Sequence, residues 1–151
     1  MTLEKPQELG VFVKRIMEGL STKKSQETVN DAAVSVATPQ TVPVGERSKI
    51  QIKTIGICAG SGGSMLNGLD VDLLFTGELS HHEALAGIEA GRCVITAFHS
   101  NSERAFLEQR MMPALWGKLE EEWDGDGDFH IEVSQCDRDP YQVVTPGTSQ
   151  W

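Results

Sequence analysis

The strongest constraint on how this 151-residue chain folds is an alternation of short apolar runs with segments that carry helix signals. The apolar runs are residues 50–59, 71–76 and 93–98. The first alternates and then becomes wholly apolar, the pattern of a strand that ends buried. Asp70 gives a turn before the second. Residues 81–90 read as a helix: Ser80 is placed to cap it, Glu83 completes a capping box, and Gly91 stops it. Residues 101–123 continue in helical spacing through Leu107, Met111, Leu115, Trp116 and Leu119, with Pro113 either kinking the helix or starting a second segment. Residues 129–136 alternate again and predict a last strand. Strands alternating with helices predict an α/β fold, with a mostly parallel or mixed sheet and flanking helices.

The remainder divides the chain. Val13, Ile16, Met17 and Leu20 recur at helical spacing, so residues 1–20 are expected to hold an N-terminal helix. Residues 21–48 are rich in Ser, Thr, Gln and Asn and read as a flexible polar loop. The α/β lobe is expected over 49–145 and a tail over 146–151. A formal charge of −9 and a pI near 4.8 argue against a nucleic-acid groove, which needs a basic stripe. No apolar run reaches the roughly 18 residues that a membrane-spanning helix needs. Cys58, Cys93 and Cys136 lie in or beside strand-like runs without a CxxC pair, and read as reduced core residues. The expected compartment is the cytoplasm, with mitochondrion and nucleus as alternatives.

Chemistry-bearing residues gather where strands hand over to helices, the edge at which α/β sheets bind ligands. His99 and Glu103 could converge there, and an imidazole with a carboxylate suits zinc, iron or manganese. The same spacing is also a capping box from Ser100 to Glu103. Glu78, His81 and His82 follow the second strand, and at most one of the adjacent histidines is expected to face a pocket, as an acid-base group; otherwise both are solvated. Gly60, Ser61 and Gly62 form a glycine turn whose N–H groups could cradle an anion, although neither a Walker motif nor G-x-G-x-x-G is complete; the alternative is a tight turn. Asp124, Asp126 and Asp128 begin like a calcium loop, but Phe129 and Gln135 occupy its required Gly and Glu positions, leaving a solvated turn.

Four segments occur in order: Ile57-Cys-Ala-Gly-Ser-Gly-Gly-Ser64, Asp72-Leu-Leu-Phe-Thr-Gly-Glu-Leu-Ser-His-His-Glu83, Phe98-His-Ser-Asn-Ser-Glu103 and Asp137-Arg-Asp-Pro140. Together they make residues 50–145 resemble the carboxy-terminal half of the NIF-three-like family (Ngg-interacting factor, GTP cyclohydrolase I type 2-like), closest to its eukaryotic branch, fungal members included. The resemblance implies the second of two related lobes, a homo-oligomer between dimer and hexamer, and a two-metal site. His99 and Glu103 match the family's late metal ligands. His82 matches its conserved histidine, with Glu78 as the pocket acid, and Gly60 and Gly62 match its glycine turn. The family's earlier lobe adds a His-His pair and an aspartate, and nothing before Lys49 resembles that lobe. The chain therefore reads as a fragment holding half a metal site. The implied activity is metal-assisted hydrolysis of a nucleotide or phosphorylated small molecule, with His82 and Glu78 in catalytic roles. The alternatives are a scaffold acting through partners such as a transcriptional coregulator, and an inactive oligomerising fragment.

Overall fold

A computed structural model describes residues 1–20, 33–125, 128–134, 136, 140–141 and 144. Residues 21–32 of the expected loop, Asp126, residues 137–139 and the expected tail lie outside the described residues. The chain forms two compact units, Met1–Ala105 and Phe106–Trp151.

The first unit is built on three parallel strands with an antiparallel strand at each edge. Its elements are β1 (Thr2–Glu8), α1 (Leu9–Leu20), β2 (Ser35–Ala37), a 3-10 turn (Val44–Lys49), β3 (Gln51–Ser61), α2 (Gly63–Leu66), β4 (Leu73–Glu78), α3 (His81–Glu89), β5 (Cys93–Thr96) and α4 (Asn101–Phe106). The strand order is β1-β3-β4-β5-β2; β3, β4 and β5 run parallel, and β1 and β2 pair antiparallel. The mixed α/β sheet expected from the alternation is thus present.

Two of these strands were not expected. Thr2–Glu8 lies in the segment read as helical, yet it pairs with β3 as an edge strand. Its register slips between Thr2 and Gln7, around Pro6, which has no N–H for a ladder. Ser35–Ala37 lies in the stretch read as a loop and pairs with β5. Three residues are too few to display a period.

Side chains alternate across the sheet, so adjacent residues of one strand build opposite faces. Ile55, Leu73 and Cys93 sit in register on one face. With Ile52, Ile95 and Leu9 they form a buried cluster, on which Phe12, Val13 and Ile16 of α1 pack. Leu74 and Val94 face the other way and pack with Leu66 of α2 and Ile88 of α3. Each fully buried aliphatic side chain of this kind contributes about 1.5–3 kcal/mol. The expected cysteine burial holds for Cys93 alone; Cys58 is half-buried and Cys136 exposed. Burial, aided by the charge of Asp72, pushes the Cys93 thiol up to about 11, so it packs as an inert small side chain.

The expected capping box forms at α3. Glu83 accepts from the Ser80 N–H at 2.8 Å, while the Ser80 hydroxyl accepts from the Glu83 N–H at 3.3 Å. At the opposite edge of the sheet, Asp72 joins the three parallel strands. Its carboxylate accepts from the N–H groups of Lys53 and Thr54, both at 2.8 Å, and from the Thr54 hydroxyl at 2.9 Å. Its carbonyl receives the Cys93 N–H at 2.8 Å.

In the second unit, a π-helical turn (Leu107–Met111) leads into α5 (Met112–Glu122), with Pro113 in its first turn. The wide turn accommodates a proline that has no N–H to donate. Trp116 and Trp123 pack on Phe129, at ring-centroid distances of 4.8 and 6.0 Å. The strand expected over 129–136 does not form among the described residues. Exposure alternates along residues 128–134 as it would in a strand, but no described segment supplies a ladder partner. No described helix is long and apolar enough to cross a membrane.

Partial burial raises the Asp72 pKa, but the Lys53 and Thr54 hydrogen bonds outweigh it and hold the carboxyl below its ordinary value. A carboxylate depressed on folding stabilises fully above its unfolded value of about 3.9, and that contribution disappears as pH falls through the lower folded value. Asp72→Ala is expected to cost about 1–2 kcal/mol at pH 7 by leaving two β3 amides without their acceptor. Urea denaturation at pH 7 and pH 3 checks this: the difference between parent and variant should shrink at the lower pH.

Candidate metal centre

The site forms at the carboxyl edge of β3, β4 and β5. Glu78 is the last residue of β4. His99 lies beyond the end of β5, in the turn before α4, and Glu103 lies in the first turn of α4. Phe98 directs the imidazole: its φ of 63° is the sole positive value at a non-glycine residue among those described. A side chain in this left-handed region costs about 1–2 kcal/mol, and such residues concentrate where a turn must be tight for function. The tight exit from β5 brings His99 back over the end of β3.

The imidazole is held between two acids. Nδ1 lies 2.8 Å from Glu78 Oε1, and Nε2 lies 3.5 Å from Glu103 Oε2. An ionised carboxylate only accepts, so the Glu78 contact selects the tautomer with hydrogen on Nδ1. The other ring nitrogen, Nε2, is turned toward Glu103. A carboxylate that orients an imidazole through one ring nitrogen is an arrangement that also recurs at metal-binding histidines. All three side chains are about half exposed, so the site is open to solvent. The Glu103 carboxylate makes its contact with His99, and no capping contact to Ser100 accompanies it among the described residues.

Gly60 lies directly beneath this pair. Its φ is +65°, and a Cβ there would stand 2.5 Å from Glu103 Oε1 and 3.2 Å from His99 Nε2. A side chain would therefore fill the space in front of both donor atoms. The N–H groups of Gly60 and Gly62 are engaged internally, as the tight-turn alternative has it. Gly60 N–H donates to the Ser102 hydroxyl at 2.8 Å and Gly62 N–H to the Thr76 hydroxyl at 3.0 Å. Ser61 pairs with Glu78 in the ladder between β3 and β4.

His82 stands exposed on the first turn of α3, edge-on to His81 at 5.6 Å, and its ring makes no hydrogen bond to a described residue. The contacts thus join Glu78, His99, Glu103 and Gly60, and His82 makes its ring contact with His81. Among the described residues, no three His, Cys, Asp or Glu side chains are grouped to hold one ion. The donors present, one imidazole nitrogen and one carboxylate, fit zinc, iron or manganese in chemistry and fall short of the three or four protein ligands of a complete zinc site. Sequence reasoning missed Thr76 and Ser102. Thr76 carried one signal, as a polar residue inside an apolar run; Ser102 carried none beyond its proximity to His99.

The fold is a mixed α/β lobe with an imidazole and two carboxylates at the carboxyl edge of its parallel strands. Residues 1–140 match the family model of Duf34/NIF3 (NGG1p interacting factor 3), and the chain belongs to this family. The match begins at residue 1 and so takes in β1 and α1, beyond the residues 50–145 on which the four motifs rest. Over 101 residues, 67% of this chain, it is 44% identical to NIF3-like protein 1 of Drosophila melanogaster and 43% identical to that of Homo sapiens, covering 32% and 25% of those proteins. It is 42% identical to NGG1-interacting factor 3 of Saccharomyces cerevisiae over 64% of this chain and 31% of that protein. The chain thus spans about a third or less of the length of these relatives. Among solved structures, a Bacillus cereus protein related to NIF3 superposes with a TM-score of 0.67 over 95% of this chain and 34% of that one; at 18% identity the likeness is one of fold.

Gly60→Ala is expected to lower stability by about 1–2 kcal/mol through its backbone conformation and also to displace Glu103 from His99. Gly68→Ala is the control. That glycine has φ +80° with no atom near a built Cβ, so its backbone cost should be similar and the site unchanged. Denaturation curves with crystal structures of both variants check the distinction.

Proposed function

We propose that this lobe contributes ligands to a divalent-metal site, in a protein that hydrolyses a nucleotide or another phosphorylated small molecule. One observation carries the reading: the His99 imidazole fixed by Glu78 at 2.8 Å, with its other nitrogen turned toward Glu103 at 3.5 Å. A divalent ion at such a site polarises a phosphoryl or carbonyl oxygen and acidifies water. Glu78 orients the ring through Nδ1, and Nε2 is the nitrogen that would bind the ion. Glu103 supplies the second donor and negative charge to match the cation. Gly60 leaves the approach clear. His82, exposed and four residues beyond Glu78, is positioned in sequence to exchange protons with solvent or to orient a substrate group.

Two protein donors leave coordination positions for water, substrate or ligands from another protein segment or a second copy of the chain. That arrangement agrees with the oligomeric assembly expected from the sequence. The name of the yeast relative, NGG1-interacting factor 3, supports a second reading in which the chain also docks on a protein partner.

Isothermal titration with zinc or manganese tests the first. The parent chain is expected to take up the ion, and His99→Ala or Glu103→Ala to abolish uptake. Glu78→Gln should weaken it by about 10- to 100-fold, the usual effect of removing an orienting carboxylate. Uptake by the parent no greater than that of His99→Ala would contradict the reading.

A further inference from the structure

Thr76 is wholly buried, the one polar side chain between apolar Phe75 and the glycine that ends this stretch of β4. Its hydroxyl accepts the Gly62 N–H at 3.0 Å and donates to the Gly60 carbonyl at 3.0 Å. Ser102 does the same from the other side: its hydroxyl accepts the Gly60 N–H at 2.8 Å and donates to the His99 carbonyl at 2.7 Å. Both peptide groups of Gly60 are therefore held by side-chain hydroxyls, one from β4 and one from α4. Gly77 is part of the same construction. A Cβ there would lie 2.6 Å from Ser102 Oγ, 2.7 Å from the Gly60 carbonyl and 3.0 Å from His99 Cα, so only a glycine admits all three.

We propose that Thr76 and Ser102 are positioning residues of the His99–Glu103 site. They clamp Gly60 in its left-handed conformation beneath the donor atoms and set how far His99 stands from the end of β3. The physical need is specific. Glycine at φ +65° has no side chain to restrict it and reaches many other conformations at little cost. A rotation there would carry the peptide toward Nε2 or away from it. The hydroxyls remove that freedom. Ser102 also ties the carbonyl of His99 itself, so the same bond network that fixes the floor fixes the ligand. Without the Thr76 hydroxyl, a buried carbonyl and a buried N–H lose their partners together, and the glycine turn must rearrange to find new ones. The proposal rests on the metal reading for its affinity readout alone; the geometry of the clamp does not depend on it.

The test uses the full chain and two measurements. Long-range nitrogen–proton NMR of the imidazoles reports the His99 tautomer, and zinc titration reports affinity. In the parent, hydrogen is expected on Nδ1. Ser102→Ala should give a mixture of tautomers and weaken zinc binding by about tenfold, as loss of a ligand-orienting contact typically does, while Ser102→Thr restores both. Thr76→Val should behave like Ser102→Ala, with Thr76→Ser as its rescue. If Thr76→Val fails to fold, the Ser102 pair decides alone. The proposal is overturned if Ser102→Ala lowers the melting temperature yet keeps the parental tautomer and an affinity within twofold, the result of a merely structural role. A parent that binds no zinc removes the metal reading; the tautomer comparison then still decides the clamp.

Discussion

The close approach of the end of β3 to the turn between β5 and α4 is the constraint from which the rest of the site follows. Gly60 and Gly77 allow backbone to pass where any Cβ would collide with His99, Ser102 or Glu103. Two hydroxyls then hold the backbone there, and Phe98 accepts an uncommon conformation so that His99 can fold back over it. Three parallel strands set this up by ending at one edge, with Asp72 joining their other ends. The core and the site are therefore linked through strand register. A slip in the pairing of β3 with β4 would remove both the packing of Ile55 on Leu73 and the bond from Thr76 to Gly60.

The parallel centre of the fold is legible because β4 and β5 are buried on both faces and read as apolar runs, while β3 is buried on one face and carries an apolar run with Ile57 exposed. The α3 helix was legible because Ser80 and Glu83 are a local device, complete within four residues. The edges were not. Thr2–Glu8 and Ser35–Ala37 owe their structure to a neighbouring strand, and neither has enough buried positions to display a period of two. Residues 128–134 show the converse: they alternate without a partner, and Phe129 packs on Trp116 and Trp123 instead. Periodicity records which side chains face inward, and strand formation also requires an available edge.

The same division applies to the site. His99 and Glu103 are four residues apart and their convergence follows from one turn of chain, so sequence alone could suggest it. The partnership of Glu78 with His99 spans 21 residues and depends on β4 and β5 ending side by side. The glycine turn leaves two readings open in the sequence, an anion cradle and a tight turn between packed elements. Two of its amides in fact face inward to Thr76 and Ser102, whose distant sequence positions hid the connection. The His99–Glu103 pair lies on a chain that spans about a third or less of the length of its eukaryotic relatives.

Anomalous diffraction from crystals soaked in zinc tests the central claim directly. The account predicts a peak about 2.0–2.2 Å from both His99 Nε2 and a Glu103 oxygen, with Nδ1 still bonded to Glu78. A zinc peak elsewhere on the chain, with Nε2 turned away from it, would contradict the account.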